Sequence, residues 1–428
     1  MCIRDSYTGI RMCNQLLENI DRVPDLDPEL KKRYIGEAKV LRAYNYYELY
    51  TKFGDVPYTT KVLSIKESMS IARTDRATVI ANMLADLDEV INGNYLPTSY
   101  DADNKGRITR WAAMAIKAKI YLFEGNWTQV KNITSTIMTE GGFRLFGSYA
   151  GLFEIANEYN SEVILDAQYR PTSREHQMMY AFLPPSLGGY SQLSPLQELV
   201  DSYIMLDGKT IRETGTSFDE SNPYANRDPR LKATVMYTGN SYTLADGTEV
   251  VINCEKGEGK DGYGVGSDCS ATGYYIKKYW DNTYRATLYS GLNPILIRYA
   301  DILLMNAEAL AELGELDKTA WDATIKPIRD RAGFTLASAV EFPEGASKDK
   351  LIEIVRNERR SELALEGHRH KDIIRWRIAD DVLNGWCHGL KTNEVVGTDN
   401  GYVRVENRAF NANKHYLWPI PQLSLIHI

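Results

Sequence analysis

The sequence predicts a mainly α protein, a helical-repeat scaffold interrupted by one large irregular, partly β insertion. Three observations carry that prediction. Amphipathic blocks with apolar residues at 3.6 spacing occupy both flanks of the chain. Two of these blocks share one internal plan. The 155 residues between those two blocks (144–298) change character altogether. At 428 residues the chain is too long for one simple core. It divides into 7–143, the first part of the scaffold; 144–298, the inserted ligand-binding lobe; 299–371, the second part of the scaffold; and 372–422, a C-terminal helix with short strands.

The first block, YTGIRMCNQLLENI (7–20), places Ile10, Cys13, Leu16, Leu17 and Ile20 on one stripe. The next helix begins at Asp27, a side-chain cap followed by Pro28 at the first helical position, and Gly54 and Pro57 punctuate its end. DRATVIANMLADLDEVI (75–91) starts on Asp75 and is again amphipathic. The two matching blocks are 110–143 and 299–334. Each is an Ala-rich helix, a glycine break (Gly125, Gly314), a second helix and a Gly-Phe ending. They span 34 and 36 residues, the length of a tetratricopeptide helix pair, so the scaffold is expected to be tetratricopeptide-like. Pro327 lies inside the last of these helices and is expected to kink or break it.

Between the blocks, SEVILDAQY (161–169), GTEVVINC (247–254) and TGYYIKKYW (272–280) read as short strands separated by long Gly/Pro/Asn-rich loops. Fifteen of the 28 tyrosines fall between residues 140 and 297, about twice their density elsewhere. A helical array cannot absorb such a segment within its stack, so the segment is expected to leave the array as a lobe and return.

Composition narrows the function classes. A net charge of −7 leaves no basic field to hold a nucleic acid. Cys2, Cys13, Cys254, Cys269 and Cys387 form no metal-ligand pattern; Cys254 and Cys269 are either two thiols or one loop-closing disulfide. No stretch is apolar over the roughly 18 residues that a membrane helix needs. No signal peptide is visible in MCIRDSYTGI. The end stretches MCIRDS and LSLIHI fit neither neighbouring pattern, so the native termini and any targeting signal are expected outside this chain.

The densest cluster of charge is NERRSELALEGHRHKDIIRW (357–376). Glu358, Glu362 and Glu366 recur every four residues on one side of a helix, a row that is destabilising without cationic partners from elsewhere. Arg42, Arg298, Arg369 and Arg375 are the partners considered, and Leu351, Ile352, Val355 and Leu363 form the packing side. With Arg359 and Arg369, these glutamates are read as a structural charge clamp. The competing reading, an acid and nucleophile pair of a glycoside hydrolase, lacks a nearby sugar platform. His368 and His370 are two apart, not the i, i+4 of a metal pair, and no metal or cofactor is expected.

The same stretch resembles the SusD/RagB family of surface nutrient-binding lipoproteins. The likeness runs through EAKVLRAYNYYELYTKFGDVP, NRDPR, IRYADILLMNAEAL, IRDRAG, the Glu-Arg-Arg…Glu-Gly-His-Arg helix and WPIPQ, in the family's order and over nearly the whole chain. The resemblance implies a tetratricopeptide-like scaffold with an irregular insertion. It also implies a lipid anchor in the outer leaflet of a Gram-negative outer membrane, a SusC-like TonB-dependent transporter as partner, and capture of oligosaccharides, or in some members peptides, without cleavage. The chain departs from the pattern in having no lipobox cysteine and in stopping soon after Gln422, so the anchor is inferred.

Ligand contacts are assigned from chemistry alone. Sugar rings stack their C–H faces on Trp or Tyr while their hydroxyls bond amides, carboxylates and guanidiniums. YWDNTYR supplies Trp280, Asp281, Asn282, Tyr284 and Arg285; a second group is Tyr180, Phe182 and Tyr190. A cytosolic tetratricopeptide-type interaction scaffold is the alternative class of function. It accounts for the helices but not for the long interruption.

Overall fold

The computed structural model describes residues 3–283 and 288–420. The chain forms two compact units. One comprises Met1–Gly142, His370–Val382 and Phe410–Ile428, the other Phe143–Arg369 and Leu383–Ala409.

The first unit opens with α1 (Ile3–Asn19), α2 (Pro28–Phe53), the single turn α3 (Ile65–Ser68), α4 (Arg76–Asn92), α5 (Arg110–Phe123) and α6 (Trp127–Glu140). Local chemistry sets the boundaries. Asp27 accepts from the Leu30 amide at 2.8 Å with Pro28 at the first helical position, and Asp75 accepts from Thr78 N at 2.9 Å. Successive helices pack pairwise, α1 on α2, α2 on α4, α4 on α5 and α5 on α6. Gly125, at φ +70°, makes the tight turn between the last two.

The second unit begins with the irregular lobe: β1 (Val163–Asp166), α7 (Met178–Phe182), α8 (Gln197–Ser202), α9 (Pro229–Thr234), β2 (Val235–Met236), β3 (Ser241–Thr243), β4 (Glu249–Val251), β5 (Tyr275–Ile276) and β6 (Ile295–Arg298). Its strands pair only as two-stranded antiparallel ladders, β1 with β6, β2 with β5 and β3 with β4. Helices follow as α10 (Tyr299–Leu313), α11 (Lys318–Ala323), α12 (Ile325–Ala332), α13 (Ala337–Val340) and α14 (Lys348–Glu362). Pro327 does break the expected single helix: α11 ends at Ala323, and the proline sits in the first turn of α12, where its missing N–H costs no bond. After α15 (Arg369–Arg375) and α16 (Ala379–Val382), a three-stranded sheet of β7 (Gly385–Lys391), β8 (Thr398–Asp399) and β9 (Tyr402–Arg408) completes the second unit in the order β7-β9-β8.

The lobe gives the tyrosine excess a physical reason. So short a set of ladders leaves many buried carbonyls without strand partners, and each must find a donor. Tyr242 Oη donates to Ile276 O at 2.7 Å, Tyr275 Oη to Asp261 O at 2.6 Å and Tyr149 Oη to Glu362 O at 3.2 Å, while the rings fill the core. A phenylalanine would fill the same space and take the hydroxyl's bond away from those carbonyls. Cys13, Cys254, Cys269 and Cys387 are free thiols, so the loop-closing disulfide is not formed.

The glutamate row of α14 meets its partners in this unit. Arg230 Nη1 donates to Glu358 at 2.6 Å and Glu362 at 2.9 Å, and its Nη2 donates to Asp228 at 2.7 Å. Arg298 donates to Glu162 at 2.7 Å, Glu362 at 2.6 Å and Glu366 at 2.7 Å. Arg331 joins Glu162 at 3.0 Å and also Glu362, and Arg329 reaches Glu358 at 2.7 Å. Lys278 Nζ donates to Glu366 at 2.6 Å and lies 4.2 Å from the Phe153 ring centre. Five acids (Glu162, Asp228, Glu358, Glu362, Glu366) thus meet five bases (Arg230, Lys278, Arg298, Arg329, Arg331). Glu162 and Glu362 are 0% exposed and Arg230 and Arg298 1%, so no charge here is left to water.

Several expectations change in detail. Of the partners considered, Arg298 belongs to the network. Arg42 instead bonds Asp86 and Asn14, and Arg375 bonds Asp372, because each has an acceptor within its own unit. Arg359, on another side of α14, pairs with Asp301 at 2.6 Å rather than with the glutamate row. Arg369 stands half-buried at the start of α15. Glu366 is not on the helix: α14 ends at Glu362, and Leu365 (φ +64°) and Gly367 (φ +81°) turn the chain so that the carboxylate returns to Arg298 and Lys278. Burial pushes the Glu362 carboxyl up, but Arg331, Arg298 and Arg230 outweigh it and hold the group well below its usual range; Glu358 and Glu366 are lowered in the same way.

Two outcomes follow. Glu362→Gln is expected to cost about 3–5 kcal/mol in urea unfolding, since it strands buried guanidiniums. Glu353→Gln, in the exposed pair with Lys350, is expected to cost under about 1 kcal/mol, and equal losses for the two variants would contradict the network's structural role. Because the three glutamates have depressed folded values, their stabilisation is present above their unfolded value of about 4.3 and lost as pH falls below it. The melting temperature should therefore drop steeply under pH 4, and less steeply in Glu362→Gln.

Candidate binding cleft

The second unit contains an open cleft of about 840 Å³. Its floor depends on two glycines. A Cβ on Gly273 would stand 1.7 Å from Leu390 Cδ2, and one on Gly389 would stand 2.6 Å from Thr272 O. Only bare backbone lets the end of β7 close against Thr272, where Leu390 N donates to Thr272 O at 2.8 Å. Tyr274 follows directly and is held in place: its hydroxyl donates to Gln197 Oε1 at 2.5 Å and lies 3.3 Å from Tyr224 Oη.

Tyr224 is a rigid platform. Tyr237 stacks behind it at 4.0 Å with a 15° interplanar angle, and Tyr224 itself lines the cleft together with Tyr274 and Tyr402. Burial pushes the Tyr224 hydroxyl up to about 12 and Tyr274 well above its ordinary value, so both stay protonated through the physiological range. Asn222, Asn393, Gln197, Thr238 and Thr392 bring amides and hydroxyls to the same space. Charged side chains on the rim pair with each other, Lys391 with Glu220 at 2.6 Å and Lys256 with Glu394. Flat ring faces, neutral hydrogen-bonding groups and no buried charge make a surface suited to a polyhydroxylated ligand.

One wall is clasped by His388 on β7. Its Nδ1 lies 2.8 Å from Glu198 Oε1 on α8 and its Nε2 lies 3.0 Å from Asp399 Oδ2 on β8. Only the doubly protonated ring donates to both. Burial alone would lower the imidazole, but the bonds to Asp399 and Glu198 outweigh it and raise the group above its ordinary value. The clasp ties α8 and β7, whose Gln197 and Leu390 line the cleft, to β8, where Asp399 pairs across the ladder with the lining residue Tyr402.

None of the described residues assigned from sequence as ligand contacts lines this cleft. Tyr180 and Tyr190 do come together, stacked at 4.2 Å with Tyr190 41% exposed, and form a second aromatic shelf. Trp280 is half-buried against Tyr242 at 4.9 Å and donates Nε1 to Thr243 O; Asn282 is exposed beside it. Phe182, 3% exposed, is core, and Asp281, 1% exposed, accepts from Thr283 and from Ser290 Oγ at 2.5 Å, so both build the lobe and neither offers a ligand surface. Tyr284 and Arg285 lie outside the described residues. The cleft tyrosines sit in NPYANRDPR, TGYYIKKYW and GYVRVEN, stretches too far apart in sequence for spacing to join them.

Comparison with known proteins gives a consistent picture. The SusD family model matches residues 152–425, and a model described as starch-binding associating with outer membrane matches residues 3–122. Among curated proteins, the chain is 28% identical over 405 residues to SusD-like protein P25 of Formosa agariphila, covering 89% of this chain and 70% of that one. It is similar in structure to a SusD-like carbohydrate-binding protein from Bacteroides fragilis, with a TM-score of 0.87 and 30% identity over 99% of this chain and 83% of that one. A laminarin-binding SusD-like protein matches with a TM-score of 0.64 and 25% identity, over 89% of this chain and 78% of that one.

The His388 clasp predicts a pH effect of known sign. A histidine raised in the folded state stabilises fully below its unfolded value near 6.5 and loses that contribution as pH rises through the folded value. NMR titration of the imidazole should place its midpoint above 6.5. The melting temperature should fall between pH 6.5 and 9 more in the wild type than in His388→Asn. A ring that titrates at or below 6.5 would rule the clasp out.

Proposed function

This chain belongs to the SusD family, and from that premise we propose that it is a non-catalytic surface protein that captures oligosaccharides at the outer membrane for delivery to a TonB-dependent transporter. The observation that carries this reading is the tyrosine-lined cleft. Tyr224, backed by Tyr237, presents a fixed ring face, and the lining amides and hydroxyls match the hydroxyl-rich edge of a sugar. The carbohydrate-binding and laminarin-binding descriptions of two structural relatives support the same class of ligand. The Tyr180–Tyr190 shelf and the Trp280–Asn282 corner are proposed as further contacts for a longer chain.

Capture without cleavage has its own support in the carboxylates. A hydrolase needs one carboxyl held protonated and a second facing the same bond. Glu358, Glu362 and Glu366 are enclosed, ionised and committed to arginine and lysine. Burial pushes Asp166 up to about 6, but it is 7% exposed, bonded to Gln168 and Asn293, and not among the residues that line the cleft.

Calorimetry against a panel of plant, algal and microbial oligosaccharides tests the reading. A bound glycan is expected, with affinity reduced at least tenfold, about 1.4 kcal/mol, in Tyr224→Ala and in Tyr402→Ala while the melting temperature holds. Trp280→Ala is expected to weaken long ligands by a similar factor. Chromatography of the incubated glycan should return it intact; shorter products would falsify the non-catalytic assignment.

A further inference from the structure

The charges around the cleft carry an inference about which glycans fit. Six charged side chains among the described residues line it: Glu220, Glu255, Lys256, Glu258, Lys391 and Glu394. Each lysine is already engaged, Lys391 by Glu220 at 2.6 Å and Lys256 by Glu394. Glu255 and Glu258 stand exposed on the facing loop with no cation partner among the described residues. The lining therefore holds four carboxylates against two ammonium groups, both neutralised, on a chain whose net charge is already −7. Among the described residues, no arginine lines the cleft to form the bidentate bonds by which sulfate or carboxylate is recognised. An anionic ligand would have to break one of the lysine pairs and then sit beside the freed glutamate.

We propose that the cleft selects neutral oligosaccharides and rejects sulfated or uronic-acid chains by like-charge repulsion, with Glu255 and Glu258 as the discriminating residues. This rests on the capture reading given above and adds the substrate class to it. The rejection acts across solvent, so it is graded by ionic strength, unlike a steric filter.

The test compares neutral gluco-, manno- and xylo-oligosaccharides with sulfated and carboxymethylated forms of the same chains, by calorimetry at 20 mM and 500 mM salt. At low salt the neutral chain that binds should do so at least tenfold more tightly than its anionic forms. That gap should shrink several-fold at high salt and in the double variant Glu255→Gln/Glu258→Gln. Two results overturn the proposal: an anionic form that binds as tightly as its neutral parent and is lost in Tyr224→Ala, or a gap indifferent to both salt and the double variant. Failure of every glycan, neutral and charged, to bind would instead bring down the capture reading and the proposal with it.

Discussion

Ten buried charges at the end of α14 organise the second unit. Bringing an arginine or glutamate out of water costs several kcal/mol, and only close, fully bonded opposite charges offset that. Each member of the network therefore constrains the backbone that carries it. Glu162 comes from the chain leading into β1, Asp228 from the N-cap of α9 and Arg230 from its first turn, Lys278 from beyond β5, Arg298 from the end of β6, and Arg329 and Arg331 from α12. A set this dispersed closes only when the lobe and the helices of its unit are in register. The network acts as a check on assembly as much as a source of stability. The stretches NRDPR, IRYAD, IRDRAG and NERRSELALEG, scattered along the chain, are the ones that supply most of it.

The lobe solves a second problem by a different device. Strands of two to four residues cannot satisfy the backbone of so long a segment. Tyrosines answer with a ring that packs and a hydroxyl that caps a carbonyl, as Tyr242 does for Ile276 and Tyr275 for Asp261. The same residue type then serves at the surface, where Tyr224 and Tyr190 turn ring faces outward against stacked partners. Structure and recognition draw on one chemistry, so a count of tyrosines by itself cannot divide them.

Charge, by contrast, is cleanly divided in this unit. The ten enclosed charges of the network balance five to five and hold the fold, while the cleft's exposed glutamates outnumber its lysines and face solvent. His388 lies between the two regimes, half-buried with a carboxylate on each ring nitrogen, and it fixes the sheet that forms one wall.

From local signals alone, its caps, 3.6 periodicity and ordered motifs, the sequence yields the helices, the interrupted scaffold and the family. Asp27 with Pro28, Asp75, Gly125 and Gly314 mark boundaries within a few residues of themselves. It also marked Glu358, Glu362 and Glu366 as a row in need of partners. The folded chain alone identifies those partners, since Arg230 stands 128 residues from Glu358 and Arg298 stands 64 from Glu362. It likewise decided that Phe182 and Asp281 are interior, and that Tyr224, Tyr274 and Tyr402 share one cleft. A row of like charges records that compensation is required, but the identity of the compensating group, and the face a loop tyrosine turns to solvent, depend on distances that exist only after the chain has closed on itself.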